Sequence, residues 1–200
     1  MFATSVSYAV IMLDTSVVNV ALQRIASGLS VPLTGLQWVM SAYTLAFASA
    51  LLTGGALGDR WGARKVYMAG LLMFTLASVA CGLAPNPTAL IVARAAQGIG
   101  AALLVPCSLK LIHHACPDAR QRARAIGLWT SVGGIAMTTG PLLGGALIQW
   151  LGWRSIFFVN LPIGLFGLAM ASRITPTPND GKPCVSISWG RLPPSSHWRR

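Results

Sequence analysis

The sequence predicts an all-α membrane protein, a bundle of six transmembrane helices. Three observations carry this. Of 200 residues, 54% are hydrophobic and only 10% are charged, at a mean hydropathy of +0.63, whereas soluble domains are roughly a quarter charged. Apolar runs of about 18–25 residues are long enough to cross a bilayer, and six are found at approximately 3–23, 38–58, 66–84, 88–112, 125–149 and 155–172. Finally, the polar links between these runs are short, and Lys and Arg crowd into alternate ones.

The first run carries Asp14 at its middle and no basic segment before it, which favours a retained helix over a cleaved signal. Ser7, Asp14 and Ala21 fall at i, i+7 and i+14 and share a face. The chain has no Glu, and its only acids are Asp14, Asp59, Asp118 and Asp180. An ionisable group deep in an apolar helix faces a water-filled cavity or a partner. Burial disfavours the charged form of a carboxylate, which suits proton exchange; a permanent pairing with a neighbour is the other reading of Asp14.

Between the second and third runs lies Gly54-Gly55-Ala56-Leu57-Gly58-Asp59-Arg60-Trp61-Gly62-Ala63-Arg64-Lys65. Its glycines permit a sharp turn and close approach, and Asp59 suits a helix N-terminus or a nearby Arg. A tight basic loop that only fixes orientation fits as well. The third run is apolar and contains Cys81. In the fourth, Arg94 stands within two turns of the start, with Gln97 and Gly98 on the same face. Its planar fork of donors suits a buried carboxylate, or the carbonyls of a broken helix. Gly98-Ile99-Gly100 lacks a third glycine and lies inside an apolar helix, so it reads as close helix packing and not as a nucleotide loop.

The fifth run contains Gly133-Gly134-Ile135-Ala136-Met137-Thr138-Thr139-Gly140-Pro141-Leu142-Leu143-Gly144-Gly145. In water this composition breaks a helix. In a bilayer, small residues bring helices together, and neighbours satisfy the backbone groups that Pro141 frees. The expectation is a kinked, tightly packed seam. After the sixth run the chain turns Pro- and Arg-rich, so residues 173–200 are expected to be a disordered cytoplasmic tail behind a bundle of residues 1–172.

The link Asp59–Lys65 holds Arg60, Arg64 and Lys65; the link His113–Arg124 holds Arg120, Arg122 and Arg124; the alternate links hold only Arg24 and Arg154. Cytoplasmic loops carry the excess of Lys and Arg, which places both termini in the cytoplasm. The net charge of +11 is thus assigned to topology and lipid headgroups, not to nucleic acid. No metal site is expected: adjacent His113 and His114 point about 100° apart on a helix. No disulfide is expected from the unpaired spacing of Cys81, Cys107, Cys116 and Cys184.

Five stretches, taken together, resemble the major facilitator superfamily, in particular its fourteen-helix drug:proton antiporters. Leu13-Asp14-Thr15-x-Val17-Val18-Asn19-Val20-Ala21-Leu22 resembles the first-helix signature. Gly55-x-Leu57-Gly58-Asp59-Arg60-x-Gly62-x-Arg64-Lys65 resembles the cytoplasmic loop signature. Arg94-x-x-Gln97-Gly98-x-Gly100-Ala101-Ala102 is similar to the fourth-helix signature, and Gly140-Pro141-x-x-Gly144-Gly145 to the antiporter motif. Trp153-Arg154-x-Ile156-Phe157-x-x-Asn160-x-Pro162-Ile163-Gly164 is similar to the sixth-helix pattern. Two departures are plain: Gln23-Arg24 follows Leu22 where the branch has Pro, and Ala63 stands at a commonly basic position.

The resemblance implies the N-terminal half of such a transporter in the cell's inner or plasma membrane. It implies proton-coupled export of amphipathic drugs or antibiotics by alternating access, with no enzyme chemistry and no cofactor. It places Asp14, Asn19, Arg94 and Gln97 on the proton and substrate pathway, and makes Asp14 and Arg94 equivalent positions of an inverted repeat. Gly55, Asp59, Arg60, Gly62, Arg64 and Lys65 become a cytoplasmic gate; Gly140, Pro141, Gly144 and Gly145 become a seam that limits leak. The expected partners are membrane lipid, protons, a small amphipathic substrate, and either a missing C-terminal half or a second copy. A truncated exporter inactive alone is the first expectation. A dimerising half-transporter and a non-transporting scaffold or regulatory subunit are the alternatives.

Overall fold

A computed structural model describes residues 2–29 and 32–172; the expected tail at 173–200 lies outside the described residues. The chain order is α1 (Phe2–Leu29), α2 (Leu33–Trp61), α3 (Ala63–Leu83), α4 (Pro87–Ala115), α5 (Ala119–Leu151), α6 (Ser155–Phe158) and α7 (Asn160–Ser172). With α6 and α7 taken as one interrupted span, these helices supply six segments long and apolar enough to cross a membrane. The predicted bundle is the observed one.

Helix ends follow local chemistry. Asn86 caps α4 by accepting from the Ala89 N–H at 2.8 Å, with Pro87 at the first helical position. Asp118 caps α5 by accepting from the Gln121 N–H at 3.1 Å. These caps let the helices run further than hydropathy suggests. Most of the expected links Gln23–Gln37 and His113–Arg124 is helical, because basic and polar side chains on the end turns reach past the apolar core. Likewise α2 continues to Trp61 and α3 resumes at Ala63, so the turn expected over several glycines is made by Gly62 alone. Its φ of 89° lies in the left-handed region that glycine adopts without penalty.

The helices pair closely. α4 packs along both α2 and α3, α1 packs along α5, and α7 joins α1 to α3. One buried cluster gathers Val17, Val18, Ala21, Ile25, Leu90 and Phe157. A second gathers Val10, Ile11, Tyr67, Leu71, Phe74 and Leu104. Between them in the chain order of α1 sits Asp14. By contrast α2 and α5 present much of their apolar surface outward, with Leu52, Leu128 and Leu142 exposed.

Three interruptions shape the helices. Pro141 removes the N–H that would bond the Met137 carbonyl, and the Ser16 hydroxyl of α1 donates to that carbonyl at 2.8 Å. Pro106 similarly frees the Ala102 carbonyl, against which α2 brings Gly54: a Cβ there would lie 2.6 Å from the oxygen, so only a Cα–H fits. The third is a break in the regular hydrogen-bonding of the sixth span at Val159, whose own φ and ψ (−61° and −30°) stay helical; there the Ser78 hydroxyl donates to the Phe157 carbonyl at 2.9 Å.

Candidate functional site

Asp14 is the centre of a buried polar cluster to which five spans contribute. Along α1 its face, Ser7, Asp14 and Ala21, is almost wholly buried, and Ser7 hydrogen-bonds to the Tyr67 hydroxyl of α3. The period-seven reading of that face thus locates the side turned into the bundle.

From α4, Arg94 Nη1 donates to Asp14 Oδ2 at 2.6 Å and to Gln97 Oε1 at 2.9 Å. Gln97 Nε2 donates to Asp14 Oδ1 at 2.9 Å. From α7, Asn160 Nδ2 donates to the same Oδ1 at 2.8 Å and to Ser78 Oγ of α3 at 2.9 Å. Cys81 of α3 turns its thiol to Gln97 Oε1 at 3.6 Å. On the far side, the Arg94 guanidinium lies over the Tyr43 ring of α2, 4.2 Å from its centroid, a cation–π contact that accepts part of its charge. Arg94, Gln97, Ser78 and Asn160 are fully buried and Asp14 nearly so.

Every group on the carboxylate is a donor, and three donors match its ionised form. Taking both charges out of water is costly, so such a pair persists only with close geometry and satisfied lone pairs. Geometry and lone pairs are both satisfied at Asp14. Not so for its neighbours: Arg94 Nε and Nη2, and Asn160 Oδ1, have no acceptor or donor among the described residues. The cluster therefore holds unused hydrogen-bonding capacity on the two side chains that grip the carboxylate.

The sequence singled out Asp14, Arg94 and Gln97, and the structure brings them together. Asn19 lies elsewhere: it is exposed and donates to the Thr15 carbonyl at 3.0 Å, on α1 itself. Asn160, Ser78, Cys81 and Tyr43 were not assigned from sequence. Asn160 had a signal, its place in the sixth-helix pattern; Ser78 and Cys81 read as small residues of an apolar run, and Tyr43 as an ordinary aromatic.

At the end carrying the basic links, Asp59 pairs with Lys110 of α4 at 2.7 Å, not with an Arg or a helix N-terminus. Lys110 Nζ also donates to the Gly55 carbonyl at 2.5 Å. Arg64 donates to the Ala171 and Ser172 carbonyls closing α7, at 3.4 and 2.7 Å. Arg60 and Lys65 are exposed. In the fifth-helix motif, Gly140 and Gly144 face α1: Cβ atoms there would lie 2.6 Å from Ser16 and 2.8 Å from Val17. Gly145 has nothing within 4 Å, and Pro141 is exposed. At the opposite end, a cleft of about 520 Å³ opens between α1 and α2, lined by Leu22, Gln23, Leu36, Gln37, Met40 and Ser41.

The same architecture is found in solved transporters. The inward-open xylose transporter XylE from E. coli superposes with a TM-score of 0.72 at 16% identity, over 88% of this chain and 47% of that one. A peptide transporter, POT, gives 0.76 at 17% identity, over 86% and 36%. At such identity the likeness is one of fold. Sequence relatives are nearer. The multidrug resistance protein Stp of Mycobacterium tuberculosis is 48% identical over 164 residues, which is 82% of this chain and 30% of that protein. The methylenomycin A resistance protein of Bacillus subtilis is 48% identical over 162 residues, or 81% and 35%. The cephamycin export protein CmcT of Amycolatopsis lactamdurans is 41% identical over 186 residues, or 93% and 37%. The chain spans about a third of the length of these relatives. A sequence model of the Major Facilitator Superfamily matches residues 4–199, and with six membrane-length helices in that fold, the chain is a multi-pass membrane protein belonging to the Major Facilitator Superfamily.

Proposed function

We propose that this bundle is the proton-sensing half of an exporter of amphipathic drugs or antibiotics, and that Asp14 is the carboxylate that loads and unloads the proton. The observation that carries the reading is the buried Asp14–Arg94 pair at 2.6 Å, held between the two apolar clusters of the bundle. A charge pair so placed contributes little net stability compared with apolar side chains of the same volume, which argues for a working role. The resistance and export proteins among the relatives supply the substrate class.

Arg94 then sets the charge balance of Asp14, and Gln97 orients its second oxygen. The exposed apolar faces of α2 and α5 meet a second bundle across the substrate path, supplied by further polypeptide or by a second copy. Alone, this bundle forms one wall of that path and does not export. Both termini lie in the cytoplasm, because Arg60, Arg64, Lys65, Arg120, Arg122 and Arg124 gather at one end. A potential of about 100 mV adds roughly 2.3 kcal/mol per charge moved inward.

The test is a chimera that joins residues 1–172 to the remaining two thirds of a related exporter, in a host lacking its own drug efflux. Dye efflux driven by a proton gradient is measured. The chimera is expected to export, and Asp14→Asn to reduce proton-driven efflux to background with expression retained. Undiminished proton-coupled efflux by the Asp14→Asn chimera would sink the assignment. Crosslinking of the chain in membranes separates a self-associating half from one that needs a distinct partner.

A further inference from the structure

Asn160 occupies an unusual position. It is the first residue of α7, immediately after the break at Val159, and it is fully buried. Both of its known contacts use Nδ2, on Asp14 Oδ1 and on Ser78 Oγ. The Ser78 hydroxyl in turn donates a hydrogen bond to the Phe157 carbonyl, in the last turn before the break. Asn160 Oδ1 has no donor among the described residues. One amide thus touches the carboxylate on one side and, through one hydroxyl, the interrupted backbone on the other.

Resting on the reading of Asp14 as the proton-loading group, we propose that Asn160 and Ser78 form a relay that reports the protonation of Asp14 to the break in the sixth span. With Asp14 ionised, the amide presents its NH₂ to the carboxylate, Ser78 accepts from the same NH₂, and the Ser78 hydrogen holds the Phe157 carbonyl. Its contacts are those of the structure. A proton on Asp14 turns an acceptor into an O–H donor facing an NH₂ donor. Turning the amide over by about 180° about its terminal torsion, which has broad and roughly two-fold preferences, brings Oδ1 to face the new O–H. Oδ1 then accepts from Asp14, and it attracts the Ser78 hydrogen away from the Phe157 carbonyl. The proton count balances: one proton arrives on Asp14, and no other bond to hydrogen is broken. The carbonyl at the break loses its side-chain partner, and α6 and α7 gain freedom to move relative to each other.

Asn160 is a positioning residue in this scheme. It acts through the carboxylate and the backbone, not on the substrate.

Two measurements on the 200-residue chain in lipid nanodiscs test the relay. Infrared difference spectroscopy follows carboxyl protonation against pH; with no Glu and four Asp in the chain, the signal lost in Asp14→Asn belongs to Asp14. Hydrogen–deuterium exchange over residues 157–163, corrected for intrinsic chemical rates, follows the break. The expected result is a rise of about fivefold or more in exchange as the Asp14 carboxyl becomes protonated. Asn160→Leu is expected to make exchange insensitive to pH while the Asp14 infrared signal persists. Ser78→Ala is expected to give fast exchange at every pH, and Ser78→Thr, which keeps the hydroxyl, to restore the response. A pH response that survives in both Asn160→Leu and Ser78→Ala overturns the relay. An Asp14 signal in the wild type without any change in exchange also overturns it and leaves the reading of Asp14 standing. Absence of the infrared signal defeats both together.

Discussion

Replacing Gly140 by Ala separates the two kinds of glycine that the fifth helix carries. The new methyl lies 2.6 Å from both Ser16 Cβ and Oγ, about 1 Å inside the distance at which carbon atoms attract. Ser16 is not free to rotate, because its hydroxyl holds the Met137 carbonyl at 2.8 Å. Either α1 and α5 move apart, or Ser16 abandons the carbonyl that Pro141 frees. Overpacking costs about 1–3 kcal/mol, and a lost hydrogen bond about 1 kcal/mol. Against this, Gly→Ala gains about 0.4–1 kcal/mol by restricting the unfolded chain. The net expectation is a destabilisation of about 1–3 kcal/mol. Gly145→Ala is the control: nothing stands within 4 Å, so only the favourable part remains, roughly 0.4–1 kcal/mol. Reversible unfolding in mixed micelles, followed by helicity, measures both. Equal shifts for the two variants, or a larger loss at Gly145, would refute the α1–α5 contact as drawn.

Other outcomes are equally direct. Arg94→Met leaves the buried Asp14 carboxylate without its cation and is expected to cost about 3–5 kcal/mol in the same unfolding assay. The double variant Asp14→Leu/Arg94→Met should recover much of that loss, and a strictly additive double variant would count against a pair. Asp59→Asn is expected to change bundle stability by no more than about 1 kcal/mol, since the Asp59 and Lys110 side chains are 59% and 29% exposed. A large loss there would mean that the pair is structural within this half.

How much of this was legible in the sequence depends on how far each signal rose above an apolar background. Asp14, Arg94 and Gln97 stand out because a charge or an amide inside a membrane helix has few reasons to be there. Asn160 is as deeply buried, yet its sequence position, just after Trp153-Arg154 and two residues before Pro162, looks like the start of a span, where polar residues are ordinary. Only the packing of the sixth span against α1 brings it level with Asp14. Asn19 shows the converse. It is five residues from Asp14, about 140° around the helix, so nearness in sequence put it on another face. Ser78 and Tyr43 have no sequence signal of their own; their roles arise from what packs beside them. The extents of α2 and α5 were missed because their end turns carry Arg and Asp in helical conformation beyond the apolar core.

The interruptions bear on what moves. Glycine and proline in the fifth run read as a kinked, tightly packed seam; in the structure Ser16 holds the Met137 carbonyl, and Gly140 and Gly144 leave no gap against α1. The Ala102 carbonyl freed by Pro106 is likewise closed over by Gly54. Neither of these two contacts involves an ionisable group, so a proton has no means of loosening either one. At Val159 the holding hydroxyl belongs to Ser78, which is bonded to Asn160, which is bonded to Asp14. Of the three interruptions, this is the one whose hydrogen bonds lead to a titratable side chain. Under the role proposed for Asp14, motion coupled to protons starts most economically in the sixth span, with the glycine-rich fifth helix as the surface against which α1 is held.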